Sequence, residues 1–204
     1  MIRRALYART AGLPCRLIKT AGSPYLERYY LGALLGRVFY LHRFVGSDAL
    51  EHLHNHPSDG LSLVLAGGYV EEVVTDLDPS APNGCTLVTR CVRWLNHVPA
   101  NRFHRVHSAD PDTWTLFITG PRKAAPWGFI DALTDDDGQA VGVVFMPVDP
   151  SSPDWHKHAQ PGQYVGREPL HAGDDELAAA DAMTVLMSVG LLGLVIVGAL
   201  GLLL

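Results

Sequence analysis

Residues 51–60 read EHLHNHPSDG, with His52, His54 and His56 at alternate positions ahead of a proline and an acidic turn. Imidazole is the commonest side-chain metal ligand and titrates near neutral pH, so clustered histidines either hold an ion or repel one another when protonated. In an extended strand, residues two apart point to the same side, which sends His54 and His56 into one space. A metal site with open positions needs a third ligand from a separate strand. His104, in HVPANRFHRVHS, is the candidate, because Pro99 and Asn101 make a turn leading into a new strand. The two segments are expected to face each other across a barrel. Three histidines on one face of an ion leave positions open, which suits Fe(II) dioxygen chemistry or a Lewis-acid role for Zn, Mn or Ni. The bland alternative is a set of hydrogen-bonded barrel histidines that hold no metal.

Other histidines fit the site less well. His52 shares the parity of His54 but precedes the pair, so a solvated or supporting role is expected, and His107 has opposite parity to His104 and should face outward. His156 and His158, in DWHKH, lie in a proline-rich stretch and read as a surface loop. Arg122, Lys123 and Trp127 follow TLFITG at a strand end, where a guanidinium can bind a carboxylate or phosphate and an indole can wall a pocket. Their competing role is a solvated turn with one packing aromatic. Arg102 is a second candidate for orienting an anionic group.

The elements that must position these side chains are strands. From residue 25 to 146 the chain runs through RVFYLHRFV, LSLVLAGGYVEEVVT, CTLVTRCVRWL, HRVHS, TWTLFIT and VGVVFMP, separated by clusters such as DPSAPNG and SADPD. Short segments rich in Val, Thr and aromatic residues between turn formers predict an all-β antiparallel sandwich or barrel. Residues 1–24 read as an arm or a short helix. Residues 147–181 are rich in Pro and Gly and then acidic, as in an extended strap or linker. Residues 182–204, AMTVLMSVGLLGLVIVGALGLLL, carry no charge and as a helix would extend over about 35 Å, enough to span a bilayer core of about 30 Å, so a single-pass transmembrane helix is expected there.

The chain has 204 residues, 48% apolar and 18% charged, which predicts one folded domain of ordinary size. Its net charge of −5 with no basic block argues against nucleic acid as a partner. Cys15, Cys85 and Cys91 are odd in number and follow no metal spacing, so no disulfide framework is expected. The basic N-terminus lacks the apolar run of a signal peptide, which places the N-terminal domain on the cytoplasmic side of a tail anchor. The expected partners are the membrane, through residues 182–204, and a small molecule; a homodimer stays open.

The histidine segments resemble the cupin superfamily of small β-barrels. His54, Asn55, His56 and Gly67 stand at the spacing of its first motif, with Asp48 in place of the first Gly and Gly60 or Leu61 where a Glu is expected. Pro99 and His104 match the second motif, from which Arg93, Asn101 and Ser108 depart. The resemblance covers residues 37–120 and is closer to a branch of cupin-like proteins with HNHP, GGYVE (67–71), TGPRKAAPWGF (119–129) and the lead-in YLHRFVGSD (40–48). It implies a cupin-type barrel, also described as a jelly roll or double-stranded β-helix, and a metal held by His54, His56 and His104; it implies no particular reaction. For the fourth ligand, water ranks first, Glu71 second and Asp59 third. The expected function is a membrane-anchored metal-binding cupin, Fe(II) first among metals, acting as a dioxygenase on a small molecule. The rival is a metal-free cupin serving as a ligand-binding or scaffold module at the membrane.

Overall fold

The computed structural model describes residues 2–20, 22–46, 53–78, 81, 84–124, 126–148, 152 and 154–171. A helix, α1 (Ile2–Arg9), precedes strands β1 (Cys15–Thr20), β2 (Ser23–Leu34), β3 (Arg37–Phe44), β4 (Leu53–His54), β5 (Gly60–Ala66) and β6 (Tyr69–Leu77). Strands β7 (Cys85–Val92), β8 (Leu95–Val98), β9 (His104–Ala109), β10 (Thr113–Thr119), β11 (Gly128–Thr134) and β12 (Ala140–Pro147) follow, then two 3-10 turns, Trp155–Lys157 and Gly162–Tyr164. The strands form two six-stranded sheets in the orders β1-β2-β3-β10-β5-β8 and β12-β11-β4-β9-β6-β7. Among the described residues every strand pair is antiparallel, as the short strands and tight turns of the sequence imply.

The core lies where the sheets meet. Leu26, Phe44 and Val64 of the first sheet pack against Tyr69, Val92 and Val106 of the second. The rings of Phe44 and Tyr69 stack with centroids 5.4 Å apart. Alternation along each strand puts these apolar residues on one face and leaves the other face to be covered separately.

That second face changes the expected domain limits. The first sheet begins at Cys15, inside the segment read as an arm or helix, because CRLIKT pairs with β2 from Cys15↔Tyr29 to Thr20↔Ser23. Ahead of it, α1 places Ile2, Leu6 and Tyr7 against Cys15, Tyr29, Ala66 and Trp114. GFIDALT, absent from the expected strands, forms β11, whose partner β12 runs from Gly128↔Pro147 onward. Its polar Asp131 is exposed, so strand pairing outweighs its weak alternation.

Residues 154–171 are not a free linker. Pro161 bridges Pro14, the N–H of Cys15 donates to the carbonyl of Gln160 at 3.0 Å, and the N–H of Gly162 donates to that of Leu13 at 2.9 Å. Further along, Arg43 donates to the carbonyls of Glu168 (2.6 Å) and Pro169 (2.8 Å). Arg43 is itself buried between Glu27 and Asp112, both fully buried, and Tyr29 donates to Glu27 at 2.6 Å. A buried cation needs such pairing, and the strap completes its shell of acceptors. The expected transmembrane segment, 182–204, lies outside the described residues; among those described, no helix is long and apolar enough to cross a membrane.

Candidate metal centre

Strand β4 is two residues long and is held on both sides. His54 pairs with His104 of β9 and with Phe129 of β11. Between the two candidate ligands, buried Asn55 works as a clamp: its Oδ1 accepts from the N–H of Gly128 at 2.7 Å, and its own N–H donates to the Gly128 carbonyl at 3.1 Å. The N–H of His56 donates to the carbonyl of Ala100 at 3.3 Å. Asn55 is thereby fixed toward β11 while His54 and His56 share the other side. The expectation that the segments of His54 and His104 oppose each other across a barrel is corrected: they are directly paired neighbours in one sheet.

The three imidazoles form a near-equilateral triangle, with ring centroids 5.2 Å (His54–His56), 5.1 Å (His54–His104) and 5.1 Å (His56–His104) apart. Their candidate ligand atoms all lie within 4.8 Å of one another. Nε2 of His56 and Nε2 of His104 are 2.8 Å apart. Two nitrogens bound to one divalent ion at about 2.1 Å stand roughly 3 Å apart, so this pair has the spacing of two ligands of a shared ion. His104 is buried, and His54 and His56 are half-buried. Burial, then the neighbouring His104 and His54, push the His56 imidazole well below its ordinary pKa, which keeps it neutral and able to donate a lone pair.

Glu71 stands behind His104. Its Oε2 lies 3.0 Å from Nδ1 of His104, and it also accepts from Asn96 Nδ2 at 3.0 Å and from Arg90. Burial by itself would raise this carboxyl, yet the hydrogen bond and charge of His104, followed by those of Arg90, outweigh it and hold Glu71 below the usual range. As an ionised acceptor it orients the ring, the arrangement that supports metal-bound histidines. It thus sits on the side of His104 remote from His56, where the fourth-ligand reading would have it among the histidines. Asp59 also points elsewhere: its Oδ1 accepts from the N–H of Ala100 at 2.8 Å and its Oδ2 pairs with Lys123 at 2.7 Å.

Of the two positions where the motif would carry a Glu, Gly60 or Leu61, the first stands against an aromatic ring. A Cβ on Gly60 would come within 2.5 Å of the Phe117 ring, which fills that side. Phe117 lies 6.2 Å from His56 and 4.9 Å from His42, centroid to centroid.

The remaining candidates are spread out. Trp127 is half-buried and reaches the site through Phe129, its ring 6.4 Å from Phe129, which lies 5.9 Å from His54. Arg102 donates to the carbonyl of His97 at 3.1 Å, and Arg122 is exposed. His107 is half-exposed on the far side of β9, and His52 lies outside the described residues. His158 is exposed, whereas His156 departs from the surface-loop expectation and stacks on Tyr30 with centroids 3.8 Å apart. Sequence reasoning missed Arg28 and His42, paired across β2 and β3, with Nε of Arg28 donating to Nε2 of His42 at 3.0 Å. The alternation of YLHRF, which puts Tyr40 and His42 on one face, was the available signal.

The described residues thus define an antiparallel two-sheet β protein with an inward group of three histidines. No protein-family model matches the chain, and no curated protein matches it. Solved structures of cupin-fold proteins overlap part of it. A mannose-6-phosphate isomerase-like protein from Ralstonia eutropha aligns over 50% of this chain and 90% of its own, at 21% identity and a TM-score of 0.39. HEPD from Streptomyces albus, with 2-hydroxyethylphosphonate and Fe(II) bound, aligns over 56% of this chain and 25% of its own, at 11% identity and 0.43. HppE with Fe(II) aligns over 54% of this chain and 57% of its own, at 10% identity and 0.42. The functional reading rests on the histidine geometry rather than on these partial overlaps.

Proposed function

We propose that this chain is a metal-dependent protein of cupin type that acts on a small molecule, with His54, His56 and His104 as ligands of one divalent ion. The observation that carries the reading is the convergence of the three imidazoles, with His104 backed by the ionised Glu71. Fe(II) ranks first, with Zn, Mn and Ni as alternatives, and such an ion supplies dioxygen activation or Lewis acidity at its open positions. The chain's own part is to present three imidazole nitrogens, to orient His104 through Glu71, and to wall one side with Phe117. A dioxygenase reaction is the favoured chemistry.

One observation favours a second reading. The 2.8 Å between His56 Nε2 and His104 Nε2 also suits a single proton shared between them, as in a metal-free ligand-binding or scaffold module. Elemental analysis of the purified full chain separates the two. Stoichiometric metal that disappears in His54→Ala supports the metal centre; a folded protein that stays metal-free after reconstitution with Fe(II), Zn, Mn and Ni supports the second reading. To either reading the uncharged segment 182–204 adds a single-pass membrane anchor.

A further inference from the structure

Arg28 projects from β2 on the same face as Leu26, which belongs to the core between the sheets. The side chain is half-buried, and its partners among the described residues are Nε2 of His42 and the ring of Tyr40, 5.5 Å from the guanidinium carbon. Neither is an anion. The buried arginine of this sheet, Arg43, shows the contrast: it faces the opposite side and is matched by Glu27 and Asp112. Among the described residues, then, this half-buried cation has no carboxylate to match its charge, and a neutral imidazole and a ring stand in its place.

Its position relates it to the three histidines. His42 stacks on Phe117 (4.9 Å), and Phe117 lies 6.2 Å from His56, so one phenyl ring separates the Arg28–His42 pair from the cluster. His42 occupies Nε of Arg28, which leaves Nη1 and Nη2 as a two-pronged donor of the geometry that carboxylates and phosphates accept. Trp155 stacks on Tyr40 at 6.3 Å and His156 on Tyr30, so the strap covers the aromatic side of the same region.

We propose that Arg28, seated by His42, is the anion anchor of the site, and that the small molecule taken by the three-histidine group carries a carboxylate or phosphate. This rests on the small-molecule reading above, and it replaces Arg102 and Arg122 as the orienting cation. Phe117, against His42 on one side and His56 on the other, lines the way from the anion anchor to the histidines with an apolar surface, which asks for a ligand with a short carbon skeleton between its anionic end and its reacting end.

The test titrates the purified full chain with succinate and, separately, with inorganic phosphate by calorimetry, in metal-loaded and chelator-treated samples. Wild-type protein is expected to bind at least one probe, with the better probe identifying the anion class. Arg28→Lys should weaken that binding by roughly tenfold or more, since it keeps the charge but loses the fork. Arg28→Gln should abolish it, with the metal-to-protein ratio unchanged in both variants. Thermal melts confirm folding, and Arg28→Lys carries the test if Arg28→Gln is unstable. Binding of neither probe to wild type, or equal binding by wild type and Arg28→Lys, overturns the proposal. Arg28-dependent binding in a protein that never takes up metal upholds the anchor and defeats only the metal reading.

Discussion

Glu71 Oε2 lies 3.0 Å from Nδ1 of His104, and this contact decides which nitrogen of His104 faces the other two histidines. An ionised carboxylate only accepts hydrogen bonds, so Nδ1 carries the proton and Nε2 presents its lone pair toward His56. Glu71→Gln is therefore expected to weaken metal binding by about 10- to 100-fold, the usual effect of losing an outer partner of a ligating histidine. Competition with a chromogenic chelator measures it, and an unchanged affinity would sink the assignment of Glu71 as the orienting group.

The triangle of imidazoles predicts which histidines matter for metal. His54→Ala, His56→Ala and His104→Ala should each lose most bound metal, while His107→Ala, altering a half-exposed ring beside Glu72, should retain it. Plasma emission spectrometry on the four variants gives the comparison. Metal loss in His107→Ala to the same degree would show that ligation lies elsewhere on β9.

Acid should destabilise the metal-free protein in a defined window. Burial, and then the charge of Arg28, hold His42 well below its ordinary 6.5, and burial with the neighbouring histidines does the same to His56. In the unfolded chain both protonate near 6.5, so below that pH the unfolded state binds more protons and stability falls with decreasing pH. The slope is up to about 1.4 kcal/mol per pH unit for each histidine, and it vanishes above about pH 6.5. Glu71, held below 4.5, adds stability that is present above that value and lost as pH falls through its lower folded one. Urea denaturation in chelator from about pH 7.5 to about pH 5.5 checks the histidine part. A flat profile would mean that neither ring is kept neutral.

Gly60→Ala should destabilise the fold by roughly 1–3 kcal/mol, because its Cβ would meet the Phe117 ring at 2.5 Å. Gly60→Ala combined with Phe117→Leu should recover part of the loss. Denaturant midpoints of the single and double variants settle it, and full additivity would show that the two positions do not compete for space.

Removal of residues 182–204 should release the protein from the membrane fraction while its metal content stays as in the full chain. The segment carries no charge, whereas residues 171–181, HAGDDELAAAD, are acidic and offer little attraction to anionic lipid. Fractionation of the truncated chain is the measurement. Continued sedimentation with membranes would locate the membrane contact in the β domain.

Several features of the fold were legible because they depend on local pattern. HNH in an extended segment must put two imidazoles on one side, and TWTLFIT and CTLVTRCV have the residue types of strands. His104 as third member of the group also followed from the turn at Pro99 and Asn101 that leads into a new strand. CRLIKT and GFIDALT escaped notice as strands, since each owes its conformation to a partner strand rather than to its own alternation. The segment 154–171 looked like a linker because its attachments are scattered hydrogen bonds to residues far away in sequence, such as Arg43 to Glu168 and His171 to Asp112.

The sequence by itself determined that this is a β-rich chain with two histidines pre-aligned on one strand, because side-chain direction in a strand is set by backbone geometry within a few residues. Only the tertiary structure decided the rest of the site. Direct pairing of His54 with His104, the place of Glu71 behind that ring and the phenyl ring at Gly60 all arise between strands distant in sequence, and the pairing of Arg28 with His42 depends on the register of β2 against β3. Sheet order and register fix which of these side chains meet, and they are set by packing of the whole core rather than by any one segment.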